Sequence, residues 1–193
     1  MERLEEIYRR IDAANAEDPR QVDVDGKPVS QELIYGIRMS QRLGSFEPEA
    51  TEALKIAARG QHLRRWEIPR EQFPMDRSGY LRWRTCLYGF HADQIEAIMI
   101  SADCPEEMIS RVRQLLSKRS IKSDPEAQAL EDVICLVFLE HYFEAFIARH
   151  PKSKVIEIVR KTWGKMSEKG HEHALSLQLA PLAAGLVSEA LSG

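Results

Sequence analysis

Apolar residues recur at helical spacing along almost the whole chain. Leu4, Ile7, Ile11 and Ala14 form an i, i+3, i+7 stripe, which predicts a first helix ending near Ala16. The stretch "EDPRQVDVDGKPVS" then breaks the period with two prolines and an Asp-Gly turn, so 17–30 reads as a loop. Helices are expected over 31–43 and 48–65, with Pro48 suited to a first helical turn. "EIPREQFPMDRSG" holds two prolines and a glycine and reads as loop. The segment 80–100 is predicted helical, with Arg84, Leu87, His91, Ile95 and Ile98 on one face.

The pattern continues to the end of the chain. Asp103, Pro105 and Glu106 open a helix that turns Met108, Val112 and Leu115 inward. Ser123 and Glu126 have capping-box spacing and Pro125 suits a first turn, so one long helix is expected from there to Arg149. Its centre, "VICLVFL", is apolar all round, which marks it as the central buried helix. Two amphipathic helices follow, near 152–166 and 181–191, and no strand-like alternation of useful length appears. The reading is all-α and one compact domain: an N-terminal helix with the 17–30 loop, a core over about 31–150, and C-terminal helices over 152–193.

Composition narrows the class. The 193 residues carry 44% hydrophobic and 30% charged side chains, an ordinary soluble balance long enough to bury a core without disulfide or metal staples. Cys86, Cys104 and Cys135 are widely spaced and odd in number, as a reducing compartment permits, and Cys135 reads as a small core residue. "MERLEEIYRR" is too charged for a secretory signal, and no apolar run could span a bilayer. A soluble, cytoplasmic protein with no membrane association is expected. The net charge of −3 argues against bulk nucleic-acid binding. Yet "RGQHLRRWEIPREQFPMDRSGYLRWR" (59–84) holds seven Arg and no Lys, a local balance of +4 that leaves −7 for the rest. Arg presents a planar fork that matches carboxylate or phosphate bidentately, so fixed geometry rather than diffuse charge is implied.

Several residues are placed where chemistry or ion pairing is required. Glu131 and Asp132 lie on mostly apolar faces of the central helix, and a buried carboxylate needs a cation, whether an Arg or a metal. His91 shares a face with Leu87 and Ile95 and points inward, as a hydrogen-bonded core residue or as a ligand. His62 stands beside Gln61 at the end of the 48–65 helix, followed directly by Arg64 and Arg65. Arg77, Arg84 and Lys122 extend the basic set, and Trp66 and Trp83 suit either the core or stacking. His171 and His173 follow "SEKG" and read as a solvated pair in a turn. Asp23, Asp25 and Gly26 lack the ligand spacing of a calcium loop and read as a plain turn.

Two resemblances follow from these segments. "DAANAEDPR", "QHLRRWEIPR", "MDRSGYLRWR", "DPEAQALEDVICLVFLEHYF" and "RKTWGKMS" resemble the signature stretches of a bacterial and fungal family, the domain of unknown function 4202, over essentially the whole chain. More remotely, "ALKIAARGQHLRR", "HADQIEAIM" and "DPEAQALEDVICLVF" resemble, in order and spacing, three metal-site helices of the HD superfamily of metal-dependent phosphohydrolases. That resemblance implies an HD-like core. It also implies a divalent metal (Mn, Fe, Ni, Zn or Mg) held by His62, His91 and Asp132, with His62 or Glu131 as general base. The sequence departs from it in two places: the His-Asp doublet falls on Gln61-His62, and 31–43 contains no His.

The expected function is binding of a phosphorylated or otherwise anionic small molecule, with a nucleotide the first class to consider. Arg64, Arg65, Arg77, Arg84 and Lys122 would hold the anion and Trp66 would stack a base. The reaction implied is metal-dependent phosphoester hydrolysis. A ligand-binding module without turnover is the alternative, and an RNA-binding face is disfavoured by the acidic pI.

Overall fold

The stripe of the first segment is realised as α1 (Glu2–Asn15), which turns Ile7 and Ile11 completely out of water. The computed structural model describes residues 2–118 and 123–192. The 17–30 segment is not a plain loop, as expected, but an antiparallel hairpin of β1 (Gln21–Val24) and β2 (Lys27–Ser30). Its turn is the Asp25-Gly26 pair, both with positive φ, the left-handed geometry that matches strand twist and that Asp-Gly tolerates. Asp23 Oδ1 accepts the Gly26 amide, so this aspartate serves the turn. Strand alternation over only four residues per arm was too short to stand out.

Next come α2 (Gln31–Phe46), α3 (Glu52–Arg59), α4 (Arg77–Ile100) and α5 (Glu106–Leu116). Thr51 caps α3 through the Leu54 amide, so this helix starts after Pro48 and ends before His62. Two 3-10 turns, Arg65–Glu67 and Arg70–Gln72, punctuate the proline-rich loop. α4 begins where Asp76 accepts the Gly79 amide.

The expected long helix is two. α6 (Pro125–His141) ends at Tyr142, whose backbone leaves helical geometry, and α7 (Phe143–Arg149) follows. The break sets the Tyr142 ring against Tyr35 and lets Phe143 bury completely. The cap is Asp124, whose Oδ1 accepts the Glu126 and Ala127 amides, rather than the expected Ser123–Glu126 box.

α8 (Lys152–Trp163), α9 (Glu168–Leu175) and α10 (Pro181–Leu191) complete the chain. α9 occupies the stretch read as a turn. His171 stacks on Trp163 with ring centroids 4.1 Å apart, and His173 meets the edge of Phe46 at 4.9 Å, so neither belongs to a solvated pair. The fold is all-α apart from the hairpin. α6 is its centre, with α2, α3, α5, α7 and α9 packed around it and buried residues on every face. Cys135 is buried there as expected. Among the described residues no helix is long and apolar enough to cross a membrane.

Candidate functional site

The segment 60–63, which follows α3, lies directly on α4. A Cβ added at Gly60 would stand 2.2 Å from Cδ1 of Ile95, so any larger residue at this crossing would have to displace that side chain. One turn away the His91 ring donates from Nδ1 to the Leu63 carbonyl at 2.9 Å. A carbonyl can only accept, so the proton sits on Nδ1 and Nε2 carries a lone pair. That Nε2 is buried and has no hydrogen-bond partner among the described residues, and Gln61 Oε1 in the crossing segment shares this condition. Burial, reinforced by the neighbouring His62, lowers the His91 pKa to about 3 and keeps the ring neutral.

His62 is fixed from both sides. Its Nδ1 lies 3.1 Å from Glu32 Oε2, and its Nε2 lies 3.2 Å from Nη1 of Arg65. A guanidinium can only donate, so Nε2 accepts and Nδ1–H points at the carboxylate. The ring stacks on Tyr35 at 3.9 Å and stands 6.0 Å from the His91 ring. Burial, with the Arg65 charge, holds its pKa well below the usual range. Its side chain still keeps 21% exposure, so solutes can reach it.

Glu32 is positioned by the N-terminal segments. It opens α2 on the same face as Tyr35, Met39 and Leu43, and is 2% exposed. Burial raises its pKa against the pull of Arg65 and Arg20. Arg20, just before the hairpin, donates to Glu32 Oε1 and makes a two-pronged pair with Asp18. Asp18 also accepts the Glu32 amide, while buried Asn15 joins the Glu32 carbonyl to the Arg64 amide. The "DAANAEDPR" stretch is therefore the scaffold behind the Glu32–His62 pair.

A row of cations and aromatic rings leads away from His62. The Arg65 guanidinium lies over Trp83 at 4.7 Å, and Trp83 is 6.0 Å from Tyr80. Arg84 lies 5.8 Å over Tyr80 and 5.5 Å over Tyr88, whose hydroxyl it contacts. Lys118, 5.7 Å over the Tyr88 ring, meets Glu131 Oε2 at 3.1 Å, and Lys165 meets the other oxygen at 3.4 Å. Burial would raise the Glu131 carboxyl, but these two lysines hold it below its usual range. Burial likewise lowers Lys118, with Glu131 opposing.

The arginines of 59–84 thus divide. Arg59 pairs with Asp12, Arg64 with Glu17 and Glu67, and Arg70 with the carbonyls of Phe73, Pro74 and Asp76. Arg64, expected on the anion, makes its ion pairs with Glu17 and Glu67, both partly exposed. Arg77 is exposed on the first turn of α4, and Trp66 is half-buried in the first 3-10 turn. Arg65 and Arg84 are half-buried and, among the described residues, have no carboxylate within ion-pair distance. Lys122 lies outside the described residues.

The three expected metal ligands have different surroundings. Asp132 accepts the Ser167 amide at 2.8 Å, the Ser167 hydroxyl at 2.6 Å and Gln128 Nε2 at 3.2 Å, which ties α6 to the start of α9. His62 Nε2 is capped by Arg65, and His91 alone presents an uncommitted nitrogen. Among the described residues no three His, Cys, Asp or Glu side chains are arranged to hold a metal ion. The donor set does not fit a divalent cation as it stands. Glu131, expected to pair with Arg or act as base, is bound by lysines.

An open groove of about 730 Å³ runs between α4 and α5, touching Tyr88, Ser110 and Gln114. Its basic residue Arg113 is paired with Asp93 and Glu96, so it offers an anion less than the Arg65 side does.

In the comparison with known proteins, the sequence model of a family described as Domain of unknown function (DUF4202) matches residues 5–187. No curated protein and no solved structure matches the chain.

Proposed function

The chain belongs to the DUF4202 family, whose description names no reaction, and we propose from the site itself that it binds a phosphorylated or otherwise anionic small molecule, held by Arg65 and Arg84 beside the Glu32–His62 pair. One observation carries this reading: Arg65 is a half-buried guanidinium bonded to a neutral imidazole and an indole face, and, although the Glu32 charge acts on it, no carboxylate among the described residues lies within ion-pair distance of it. Withdrawing a charge from water is costly unless an opposite charge meets it. Burial already lowers the Arg65 pKa. A phosphate or carboxylate would receive its planar fork, with Arg84 as the second cation and Trp83, Tyr80 and Tyr88 as flanking faces.

The Glu32–His62 pair favours phosphoester hydrolysis as the reaction at this site. His62 Nε2 would take a proton from an attacking water while Glu32 stabilises the imidazolium, and Arg65 would turn from Nε2 to the phosphoryl oxygens. As the new P–O bond forms, the P–O bond to the ester oxygen would break, and the departing alkoxide would take the proton back from the imidazolium. Without turnover the cleft serves as a ligand-binding module.

Calorimetric titration with inorganic phosphate, pyrophosphate and ATP tests the proposal, using the wild type, Arg65→Ala, Arg84→Ala and the exposed control Arg77→Ala. Loss of one charge-assisted bidentate contact should weaken binding about tenfold or more in the first two variants and leave the third unchanged. Equal loss in all three, with a steep salt dependence, would instead mark a diffuse basic face and overturn the pocket. Hydrolysis further requires that His62→Asn abolish phosphate release while phosphate still binds.

A further inference from the structure

Resting on that reading, we propose that the buried side of the anion site, at His91, recognises a neutral hydroxyl, so that the ligand is a hydroxylated phosphate ester rather than a bare oxyanion. The acceptor is His91 Nε2. The bond from Nδ1 to the Leu63 carbonyl fixes the tautomer, so Nε2 can only accept. The residue is 3% exposed and its Nε2 has no donor among the described residues. A buried acceptor left unmade is unfavourable, and one kept beside an anion site calls for a donor.

The surroundings select the donor. The ring stands 6.0 Å from His62, whose Nε2 is the contact point of Arg65, so the acceptor lies one ring away from the anion-holding guanidinium. The nearby Arg65 charge disfavours an ammonium and leaves a hydroxyl as the fitting group. Gln61 adds a second polar end. It is 4% exposed, lies between Gly60 on Ile95 and Leu63 on His91, and its Oε1 also lacks a partner. Two orphan acceptors on the same crossing suit a group with more than one hydroxyl, such as a sugar or polyol phosphate.

The test compares glycerol 3-phosphate with n-propyl phosphate, which share phosphate and chain length and differ in hydroxyls. Titrations use wild type, Arg65→Ala, His91→Phe and His91→Gln, each first shown to keep its far-UV and near-UV spectra. The wild type should prefer glycerol 3-phosphate about tenfold or more. His91→Phe should abolish that preference while retaining phosphate binding, and His91→Gln, which restores an acceptor near the same place, should recover part of it. Equal wild-type affinities that still fall in Arg65→Ala would overturn the hydroxyl subsite and leave the anion site standing. Absence of binding by both esters, or binding indifferent to Arg65, would overturn the anion site and this inference with it.

Discussion

Oε2 of Glu32 lies 3.1 Å from Nδ1 of His62, and Oε1 of the same carboxylate lies 2.8 Å from Nη2 of Arg20. One buried acid therefore ties the start of α2, the hairpin and the segment after α3. Removing it strands the His62 Nδ1–H and leaves the Arg20 guanidinium with Asp18 alone. Glu32→Ala should cost about 3–5 kcal/mol in urea unfolding. Glu32→Gln keeps one acceptor and should cost about 1–2 kcal/mol. Equal, small losses in both would mean that the carboxylate does not organise the site.

The histidines set an acid limit on stability. His91 has a folded pKa of about 3 and His62 is also held well below its ordinary value, so the unfolded chain binds the extra protons first. Their contribution is fully present above about pH 6.5 and declines as pH falls toward 3, at up to about 1.4 kcal/mol per pH unit for each ring. Unfolding midpoints measured from pH 7 to pH 4 should fall steadily, and less steeply in His91→Phe. The His62 and His91 resonances should not titrate between pH 6 and 8. Titration of either ring in that range would contradict the burial argument.

Asp132 is expected to act on the fold rather than on the ligand. It carries three hydrogen bonds to Ser167 and Gln128, and a Cβ at Gly170 would come within 2.6 Å of its Oδ1. Asp132→Ala should destabilise by about 2–4 kcal/mol, and Gly170→Ala by about 1–3 kcal/mol. Both should bind inorganic phosphate within about twofold of the wild type, corrected for folded fraction. A tenfold loss of affinity in a well-folded Asp132→Asn variant would return this residue to the site.

Much of this was legible in the sequence, and the omissions have physical causes. The inward face of α4 located His91, and the apolar circumference of α6 located Glu131 and Asp132 as buried acids. The same rule applied to α2 would have found Glu32, which continues the Tyr35, Met39, Leu43 stripe. A carboxylate at the first turn of a helix is ordinarily a surface residue favoured by the dipole, which hides this one. Asn15, Asp18 and Arg20 were unreadable for a different reason: only the hairpin return brings them behind Glu32. Arg64 and Arg65 could not be told apart by adjacency. The left-handed backbone of Arg64, φ 53°, turns successive side chains to different partners, one to glutamates and one to His62. The stacking of His171 on Trp163 likewise depends on α9 folding back onto α8, beyond the reach of local spacing.

The most direct test of the central claim is a phosphate titration followed on the arginine Nε–Hε resonances of the wild-type protein, with Arg65→Lys and Arg77→Lys used for assignment. The account predicts that the Arg65 resonance shifts saturably, together with Arg84, at an ionic strength where Arg77 does not respond. A shift shared by Arg77 and Arg82, linear in phosphate and erased by salt, would contradict it.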